Sequence, residues 1–379
     1  MPPYHLGFII EQALGHVTHG QNLQALVPQD PAVRAHWALP AFPVAGTAAR
    51  IPLYKSNWTV RAGLRTRRLL RRMARQAPLD ALFFHTQVTA VLNPDWLRRL
   101  PSVVSLDATP MQYDELGDVY SHETGPAWLE QAKWRLNHRC FHAARHVVAW
   151  TRWTHDSLVR DYGVPPEKIS VIPPGVDTRA WQRPTPRTAH ADPVKILFVG
   201  GDLARKGGLL LLDAFRGLRA QTAVELHLVT RTPVPAEPGL FVYHDMQPNS
   251  PRLRQLYHAA DLFCLPTFGD CLPMVLSEAG AAGLPAISTR VAGIPEIVRD
   301  GETRLLVPPG DAAALTHALA ALVHNPQRRL ALGETAVAHT TAHFNAAANA
   351  ARLLALLKHV ADSASAYPLP SAAARENVY

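Results

Sequence analysis

The sequence alternates short apolar runs with longer segments of helical periodicity, and it does so in two separate series. The first half contains five apolar runs that are short enough to be buried strands, at 6–10, 79–84, 102–106, 146–150 and 169–173. Helices are predicted between them at 126–145 and 154–162. The second series predicts strands at 194–200, 224–229, 261–267 and 285–290. Its helices are predicted at 206–220, 250–259, 273–282 and 311–324. Repeated strand–helix alternation predicts an α/β fold.

A segment rich in proline and polar residues, WQRPTPRTAHADP at 181–193, separates the two series and is predicted to be a linker. The expected organisation is therefore two doubly wound parallel sheets that face a central cleft, which is the usual ligand site in such folds. The predicted boundaries are 1–185 for an N-terminal domain, 186–345 for a C-terminal domain, 346–362 for a helix that packs back toward the N-terminal domain, and 363–379 for a loose tail.

Charge and cysteine content narrow the cellular context. The 379 residues carry a formal net charge of +8, which favours anionic partners such as nucleotide phosphates or acidic lipid headgroups. The three cysteines form no CxxC pair and no disulfide framework, as is typical of a reducing compartment. The N-terminal apolar run is too short for a signal peptide, and no run approaches 18 apolar residues. We expect a cytoplasmic protein, with the inner face of the membrane as an alternative site.

The segment FVGGDLARKGG at 198–208 ends a predicted strand in Gly200 and Gly201 and then opens a helix after Arg205 and Lys206. Glycine lets the backbone approach a ligand closely, and cations beside a helix N-terminus favour a phosphate group. From these residues alone, an ordinary turn with a solvated basic pair is an equal alternative.

The segment GDCLPMVLSEAGAAGLP at 269–285 contains two carboxylates, Asp270 and Glu278. Pro273 fits the first helical position and Gly283 fits the residue after the last turn. Asp270 then precedes the helix, and Glu278 lies more than one turn inside it. They would contact different parts of one ligand lying across the helix N-terminus, where unpaired N–H groups suit a diphosphate. Taken alone, a turn aspartate and a surface glutamate remain the simpler explanation.

The ordered succession of the segments 198–208, 256–267 and 269–311 resembles the nucleotide-sugar half of the retaining family-4 glycosyltransferases, which have the GT-B fold. The segment VIPPGVDTRAW at 171–181 is similar to the part of that family that precedes the linker, and the resemblance covers about 165–345. It implies two Rossmann-like domains and a retaining, metal-independent enzyme without a cofactor. Such an enzyme would move a sugar from a nucleoside diphosphate to an acceptor hydroxyl of a glycan, polysaccharide or glycolipid.

The resemblance also implies roles for individual residues. Lys206, with Arg205, would bind the donor diphosphate, Glu278 would hold the ribose, and Asp270 would lie near the donor sugar as a catalytic residue. The remaining donor-binding positions are Gly200, Gly201, Leu272 and Pro273.

Three positions depart from the family pattern. Asp270 stands where a longer glutamate is usual. Gly201 stands where many members carry an arginine, a role that Arg205 would take over. Arg304 stands where a glycine is usual.

The N-terminal half offers weaker candidates. Gly15 and His16, in the segment 11–23 after the first strand, would approach the diphosphate or the acceptor. His85 and Asp107 follow two predicted strands at their carboxyl ends, so they are candidate catalytic residues on the acceptor side. A structural histidine is equally compatible with the first position, and a turn aspartate before Pro110 with the second.

The segment 61–76 is the most basic in the chain, and Arg61, Arg65, Arg68 and Arg72 follow helical spacing on one face. An anionic membrane surface is one interpretation and a solvated helix face is the favoured alternative. No nucleic-acid partner is expected. The sequence contains no D-x-D motif and no His/Cys metal spacing, which predicts the absence of a metal. The alternatives to a transferase are another GT-B enzyme, such as a sugar-nucleotide epimerase or a phosphorylase, and a non-catalytic GT-B binding protein.

Overall fold

Two parallel sheets, each of six strands in the part of the chain described, form the centre of the protein. The structure is a computed structural model that describes residues 2–13, 15–41, 43, 57–117, 125–187 and 192–365. The N-terminal sheet has the order β2-β1-β3-β4-β5-β6, and all of its pairs are parallel. Its strands are β1 (Tyr4–Ile10), β2 (Val33–Ala38), β3 (Ala81–His85), β4 (Ser102–Leu106), β5 (His146–Ala149) and β6 (Ile169–Val171).

The C-terminal sheet repeats this pattern with the order β12-β11-β10-β7-β8-β9, again entirely parallel. Its strands are β7 (Val194–Val199), β8 (Val224–Val229), β9 (Leu240–Tyr243), β10 (Leu262–Leu265), β11 (Ala286–Thr289) and β12 (Leu305–Val307). In each sheet the chain reverses its direction of growth once, between β1 and β3 and between β7 and β10. Ligands of open parallel sheets bind beside such reversal points, at the carboxyl ends of the strands.

The α-helices cover both faces of the sheets, as parallel connections require. In chain order they are α1 (His16–Leu26), α2 (Trp58–Gln76), α3 (Gln87–Ala90), α4 (Pro94–Arg99), α5 (Pro110–Glu115), α6 (Ala127–Ala143), α7 (Arg152–Tyr162), α8 (Thr178–Trp181), α9 (Gly208–Arg219), α10 (Pro251–Ala259), α11 (Met274–Ala281), α12 (Ile294–Ile297), α13 (Ala312–Val323), α14 (Pro326–His343) and α15 (Ala346–Ser365). Among the described residues, no helix combines the length and apolarity needed to cross a bilayer.

The strands that the sequence pattern misses are β2, β9 and β12. β2 and β9 lie at sheet edges and are only partly buried, so their residues do not form the continuous apolar run that marks a central strand. β12 is also an edge strand and spans only three residues. The criterion of a buried run therefore finds the strands in the interior of each sheet and, of the four border strands, only β6.

The last helix crosses from one domain to the other. Just before α15 the chain runs beside the segment around Val176, which leads from the N-terminal to the C-terminal domain. There the Val176 N–H donates to the Phe344 carbonyl at 2.9 Å, and the Ala346 N–H donates to the Val176 carbonyl at 3.0 Å. Leu353, Leu357 and other apolar residues of α15 then pack in one cluster with the buried side chains of the N-terminal sheet. Residues 363–365, predicted as part of a loose tail, continue this helix, whereas 366–379 lie outside the described residues.

The basic segment forms α2, but its cations do not share one solvated face. Arg61 is only 6% exposed and lies over the Trp58 ring, with 5.5 Å between its Cζ atom and the ring centroid. Arg65 donates to the backbone carbonyls of Ala41 and Pro43. The spacing places Arg61, Arg65, Arg68 and Arg72 on one side of this helix, as predicted, but the first two are not solvated because they cover the protein itself. The exposed cations are Arg68, Arg71, Arg72 and Arg75.

Candidate active site

The carboxyl ends of the two sheets border a cavity of about 290 Å³ between the domains. All of the predicted site residues except His85 line it: Gly15, His16, Asp107, Gly200, Gly201, Arg205, Lys206, Asp270, Leu272, Pro273 and Glu278. The C-terminal domain supplies most of the charged groups. The sequence motifs thus converge on one cleft, although they are distributed over more than 250 positions of the chain.

The turn between β7 and α9 brings Lys206 to the loop that follows β10. Gly207 has a φ of +75°, and a Cβ at this position would lie 1.9 Å from the Pro266 carbonyl oxygen. Only glycine permits this conformation and this close approach of two backbones. As a result, Lys206 Nζ lies 2.5 Å from both carboxylate oxygens of Asp270.

Arg205 binds the same loop. Its Nη1 donates to the Gly269 carbonyl at 2.7 Å and lies 3.7 Å from Oδ1 of Asp270. The Arg205 carbonyl in turn accepts the N–H of Phe268 at 3.0 Å. Lys206 and Asp270, which the resemblance assigns to the diphosphate and the sugar, are thus in direct contact, and Arg205 holds the loop that carries the carboxylate.

Glu278 projects from α11 and is only 4% exposed. The Tyr257 hydroxyl donates to its Oε2 at 2.8 Å. Burial raises the pKa of Glu278 to about 7, and the hydrogen bond from Tyr257 opposes that shift. α11 begins at Met274, one residue later than predicted, and Gly283, with a φ of +68°, follows its end. Pro273 is therefore the residue before the helix. Pro273 and Glu278 both line the cavity, so the N-terminus of α11 and a carboxyl group one turn inside it face the same cleft.

Arg304 lies behind α11 and not in the cleft. Its side chain is fully buried and donates to the carbonyls of Leu276 at 2.6 Å and Ile297 at 3.0 Å. Burial lowers its pKa to about 9. A Cβ at Gly280 would lie 2.2 Å from Arg304 Nη2, so the glycine in the helix makes room for the guanidinium. Arg304, which stands where a glycine is usual in the family, thus supports α11 on the side away from the cleft.

Asp107 faces the cleft from the N-terminal domain. The Tyr113 hydroxyl lies 3.1 Å from Oδ1 and 3.0 Å from Oδ2, and the Ala108 N–H donates to Oδ1 at 3.0 Å. His16 Nε2 lies 3.9 Å from Oδ2. Asp107 as a whole is only 8% exposed, and these contacts fix the orientation of its carboxylate in the wall of the cleft. Gly15, by contrast, has no atoms crowded against it, so the structure shows no close backbone approach there.

His85 is fully buried and stands behind the wall of the cleft. Its ring stacks on Trp150 at a centroid distance of 5.2 Å and meets the edges of His16 and His19 at 5.0 Å each. Burial lowers the pKa of His85 well below its usual value and lowers that of His19 to about 3. The neutral rings of His85 and His19 form a packed layer under the cleft. His85 does not line the cleft itself, but it contacts His16 and Trp150, which do.

The predicted site residues did not include several residues that line the cleft, among them Arg231 and Trp150. Arg231 follows β8 at its carboxyl end, where ligands of parallel sheets bind, but it belongs to no motif in the sequence. Trp150 follows β5 in the same way, and its Nε1 donates to Ser105 at 2.9 Å.

A further contact joins the domains beside this wall. The Glu296 carboxylate accepts the N–H groups of Arg152 at 2.7 Å and Trp153 at 2.8 Å. Across the described ranges, no group of three or more His, Cys, Asp or Glu side chains is arranged to hold a metal ion.

Two family models match the chain. The model for Glycosyltransferase Family 4 matches residues 11–180, and the model for Glycosyl transferases group 1 matches residues 193–325. The two matches meet at the linker between the two domains. Together they account for both sides of the cleft.

Individual relatives match over shorter stretches. The chain is 32% identical over 187 residues to an MMP alpha-(1->4)-mannosyltransferase of Mycolicibacterium hassiacum, which covers 47% of this chain and 45% of the relative. It is 31% identical over 224 residues to a D-inositol 3-phosphate glycosyltransferase of Corynebacterium glutamicum, covering 52% and 53%. The chain thus spans about half the length of the curated relatives it matches.

The fold has close counterparts among solved structures. Anabaena Alr3699/HepE, in complex with UDP and glucose, superposes with a TM-score of 0.69 at 16% identity, over 94% of this chain and all of that one. At this identity the likeness concerns the fold, and it extends over both domains. The chain belongs to the group 1, family-4 glycosyltransferases and has their GT-B fold.

Proposed function

We propose that the protein is a retaining glycosyltransferase that moves a sugar from a nucleoside diphosphate to an acceptor hydroxyl. The observation that carries this proposal is the cluster of Lys206, Asp270 and Glu278 around the N-terminus of α11, at the reversal point of the C-terminal sheet. Cations and a helix N-terminus suit a diphosphate, and a carboxyl group one turn inside the helix suits vicinal hydroxyls of a ribose. Glycosyl transfer is also the activity named for both relatives described above.

In the proposed reaction the acceptor hydroxyl attacks the anomeric carbon on the face from which the diphosphate leaves. The bond from the anomeric carbon to the diphosphate oxygen breaks with both electrons passing to that oxygen, and the hydroxyl proton goes to the departing diphosphate. The protein orients the two substrates and stabilises the growing negative charge with Lys206 and the N–H groups of α11. Asp107 and Asp270 would orient hydroxyl groups from opposite walls of the cleft.

The direct test is turnover. The protein would be incubated with UDP-, GDP- and ADP-sugars and a panel of acceptors, and release of the free diphosphate would be followed with and without acceptor. HepE was solved with UDP and glucose, so UDP-glucose is the first donor to try. Acceptor-dependent release of diphosphate is the expected result. If a nucleotide binds but no donor is consumed with any acceptor, the non-catalytic alternative replaces this proposal.

Retention and metal independence are part of the proposal and need their own measurements. The anomeric configuration of the product, read from its proton NMR coupling constants, should match that of the donor. The rate should be unchanged in excess EDTA, since cationic side chains and a helix terminus would take the place of a metal at the leaving diphosphate. An inverted product, or activity lost in EDTA and restored by a divalent cation, would contradict the corresponding part.

A glycan or lipid-linked acceptor and an anionic membrane surface are proposed partners. The exposed arginines of α2 beyond its first turns, Arg68, Arg71, Arg72 and Arg75, support an electrostatic contact with acidic headgroups. Co-sedimentation with anionic vesicles should exceed that with neutral vesicles, and the excess should fall when Arg68, Arg71, Arg72 and Arg75 are replaced by glutamine. Equal binding to both vesicle types would leave this surface as a solvated helix face.

A further inference from the structure

Arg231 occupies the space beside Gly201 in the wall of the cleft. A Cβ at Gly201 would lie 3.6 Å from Nε and 3.8 Å from Cζ of Arg231, which are ordinary contact distances. The two backbones also touch, because the Arg231 N–H donates to the Gly201 carbonyl at 3.3 Å. The guanidinium of Arg231, which follows β8, therefore occupies the space that a side chain at position 201, after β7, would enter.

The cations of the C-terminal wall differ in their partners. Lys206 is bound to both oxygens of Asp270, and Arg205 donates to the Gly269 carbonyl while lying 3.6 Å from Asp202 and 3.7 Å from Asp270. Arg231 is exposed, and its guanidinium has no hydrogen bond or ion pair within the described part of the chain. It is therefore the cleft arginine whose donors an incoming anion can take without displacing a carboxylate or carbonyl.

We infer that Arg231 binds the diphosphate of the donor and supplies the cation that Gly201 does not. This assignment rests on the proposed function. A guanidinium presents a planar set of N–H donors that matches phosphate oxygens in a bidentate way, and it keeps its charge at any relevant pH. Residues 201 and 206 belong to the same turn after β7. The Arg231 guanidinium beside Gly201 is therefore close to the part of the cleft that Lys206 lines.

The test measures nucleotide affinity in matched variants. UDP, GDP and ADP are titrated calorimetrically into the wild type, and the nucleotide that binds is carried forward to Arg231→Ala. Loss of charge-assisted hydrogen bonds should weaken binding about tenfold to a hundredfold. Arg328→Ala is the control, because Arg328 is exposed on α14, away from the cleft, and its removal changes the net charge equally. The control should leave the dissociation constant unchanged.

A second variant separates a phosphate contact from a structural role. In the double variant Gly201→Arg/Arg231→Ala, an arginine at position 201 replaces the lost cation. Its side chain can enter the space that Arg231→Ala leaves empty. A Cβ at Gly201 meets nothing closer than 3.6 Å, and the atoms it meets belong to Arg231, which the double variant removes. Affinity should recover at least half of the loss on a logarithmic scale, whereas a merely structural role for Arg231 would not be rescued in this way.

The outcomes are distinguishable. If the wild type binds a nucleotide and Arg231→Ala binds it equally well, this assignment is wrong and the proposed function stands. If Arg231→Ala weakens binding but the double variant shows no recovery, the residue does not act as the cation of position 201 and the assignment also fails. If the folded wild type binds none of the three nucleotides, the proposed function falls and the assignment falls with it.

Discussion

The two sheets share a topology, but the ends that face the cleft are built from different chemistry. In the C-terminal domain the carboxyl ends carry Lys206, Asp270 and Glu278, and the first two form an ion pair at 2.5 Å. In the N-terminal domain the corresponding edge is a layer of rings, in which His85 is fully buried among His16, His19 and Trp150. One wall is charged, and the other consists mainly of packed rings beside the carboxyl group of Asp107.

This difference assigns distinct work to each domain. Cationic groups at the end of a parallel sheet can bind and stabilise an anion, whereas packed rings hold a surface in shape. We propose that the C-terminal wall binds the donor and that the N-terminal wall contributes Asp107 and a shaped surface for the acceptor. Substitutions in the charged wall should change binding and rate, and substitutions in the ring layer should change mainly stability.

The largest effect is expected from Lys206→Met. This substitution removes a cation at the proposed leaving diphosphate and leaves the carboxylate of the buried Asp270 without its nearest partner. The specificity constant for transfer should fall by about a hundredfold to a thousandfold, as for the loss of one donor to a developing charge. Initial rates would be compared with those of Arg328→Met on α14. A loss smaller than tenfold would place the essential charge elsewhere.

Asp270→Asn should separate the chemical step from nucleotide binding. Transfer should drop about a hundredfold, because the donor sugar loses a carboxylate that orients it. Binding of the nucleoside diphosphate should be unchanged or up to about tenfold tighter, because Lys206 loses an internal competitor for the phosphate. Calorimetry and initial rates on the same preparation test both parts. Loss of nucleotide binding together with transfer would show that Asp270 holds the site in shape instead.

Glu278→Gln should weaken nucleotide binding with little change in shape. The carboxyl group is 4% exposed and accepts from Tyr257, and an amide can keep that hydrogen bond through its oxygen. Replacing a charged acceptor for ribose hydroxyls by a neutral one should raise the dissociation constant about tenfold to a hundredfold. An unchanged constant in the folded variant would refute the ribose assignment.

The smallest effect is a difference in how the two walls respond to pH. The pKa of Glu278 is raised from 4.5 to about 7 by burial, so its contribution to stability declines as pH rises between those values. The pKa of His19 is lowered from 6.5 to about 3 by burial, so its contribution declines as pH falls from 6.5 toward 3. Each group accounts for a slope of about 1.4 kcal/mol per pH unit.

Denaturant unfolding over a pH series would measure both slopes. The two windows overlap between pH 4.5 and 6.5, where the slopes have opposite signs, so each slope is read from the difference between a variant and the wild type. Glu278→Gln should remove the negative slope between pH 4.5 and 7, and His19→Leu should remove the positive slope between pH 3 and 6.5 while leaving nucleotide affinity within about twofold. If His19→Leu abolished nucleotide binding while the protein stayed folded, the division of labour between the two walls would be wrong.

The charged wall was predictable from the sequence because its residues lie in contiguous motifs that mark strand ends and helix starts. The motifs at 198–208 and 269–285 each carry their own glycines and helix signals, so their positions at the sheet edge follow from local pattern. What local pattern could not give is the contact between Lys206 and Asp270, which depends on the positive φ of Gly207 and its packing against Pro266.

The ring wall was less predictable for a physical reason. His85 does end a strand, as expected, but every residue of β3 is buried, so the strand end faces the layer of helix α1 instead of the cleft. Burial of that kind depends on which helix covers the strand, and a strand pattern does not contain that information. Arg231 was missed because one polar residue after a strand is common and carries no motif of its own.

The most direct test of the central claim is a calorimetric titration of the wild type and of Lys206→Met with UDP, GDP and ADP. The account predicts micromolar binding of one nucleotide to the wild type and loss of that binding in the variant, since the charged wall would then hold the diphosphate. Absence of binding of all three by folded wild type, or equal binding by the variant, would contradict it.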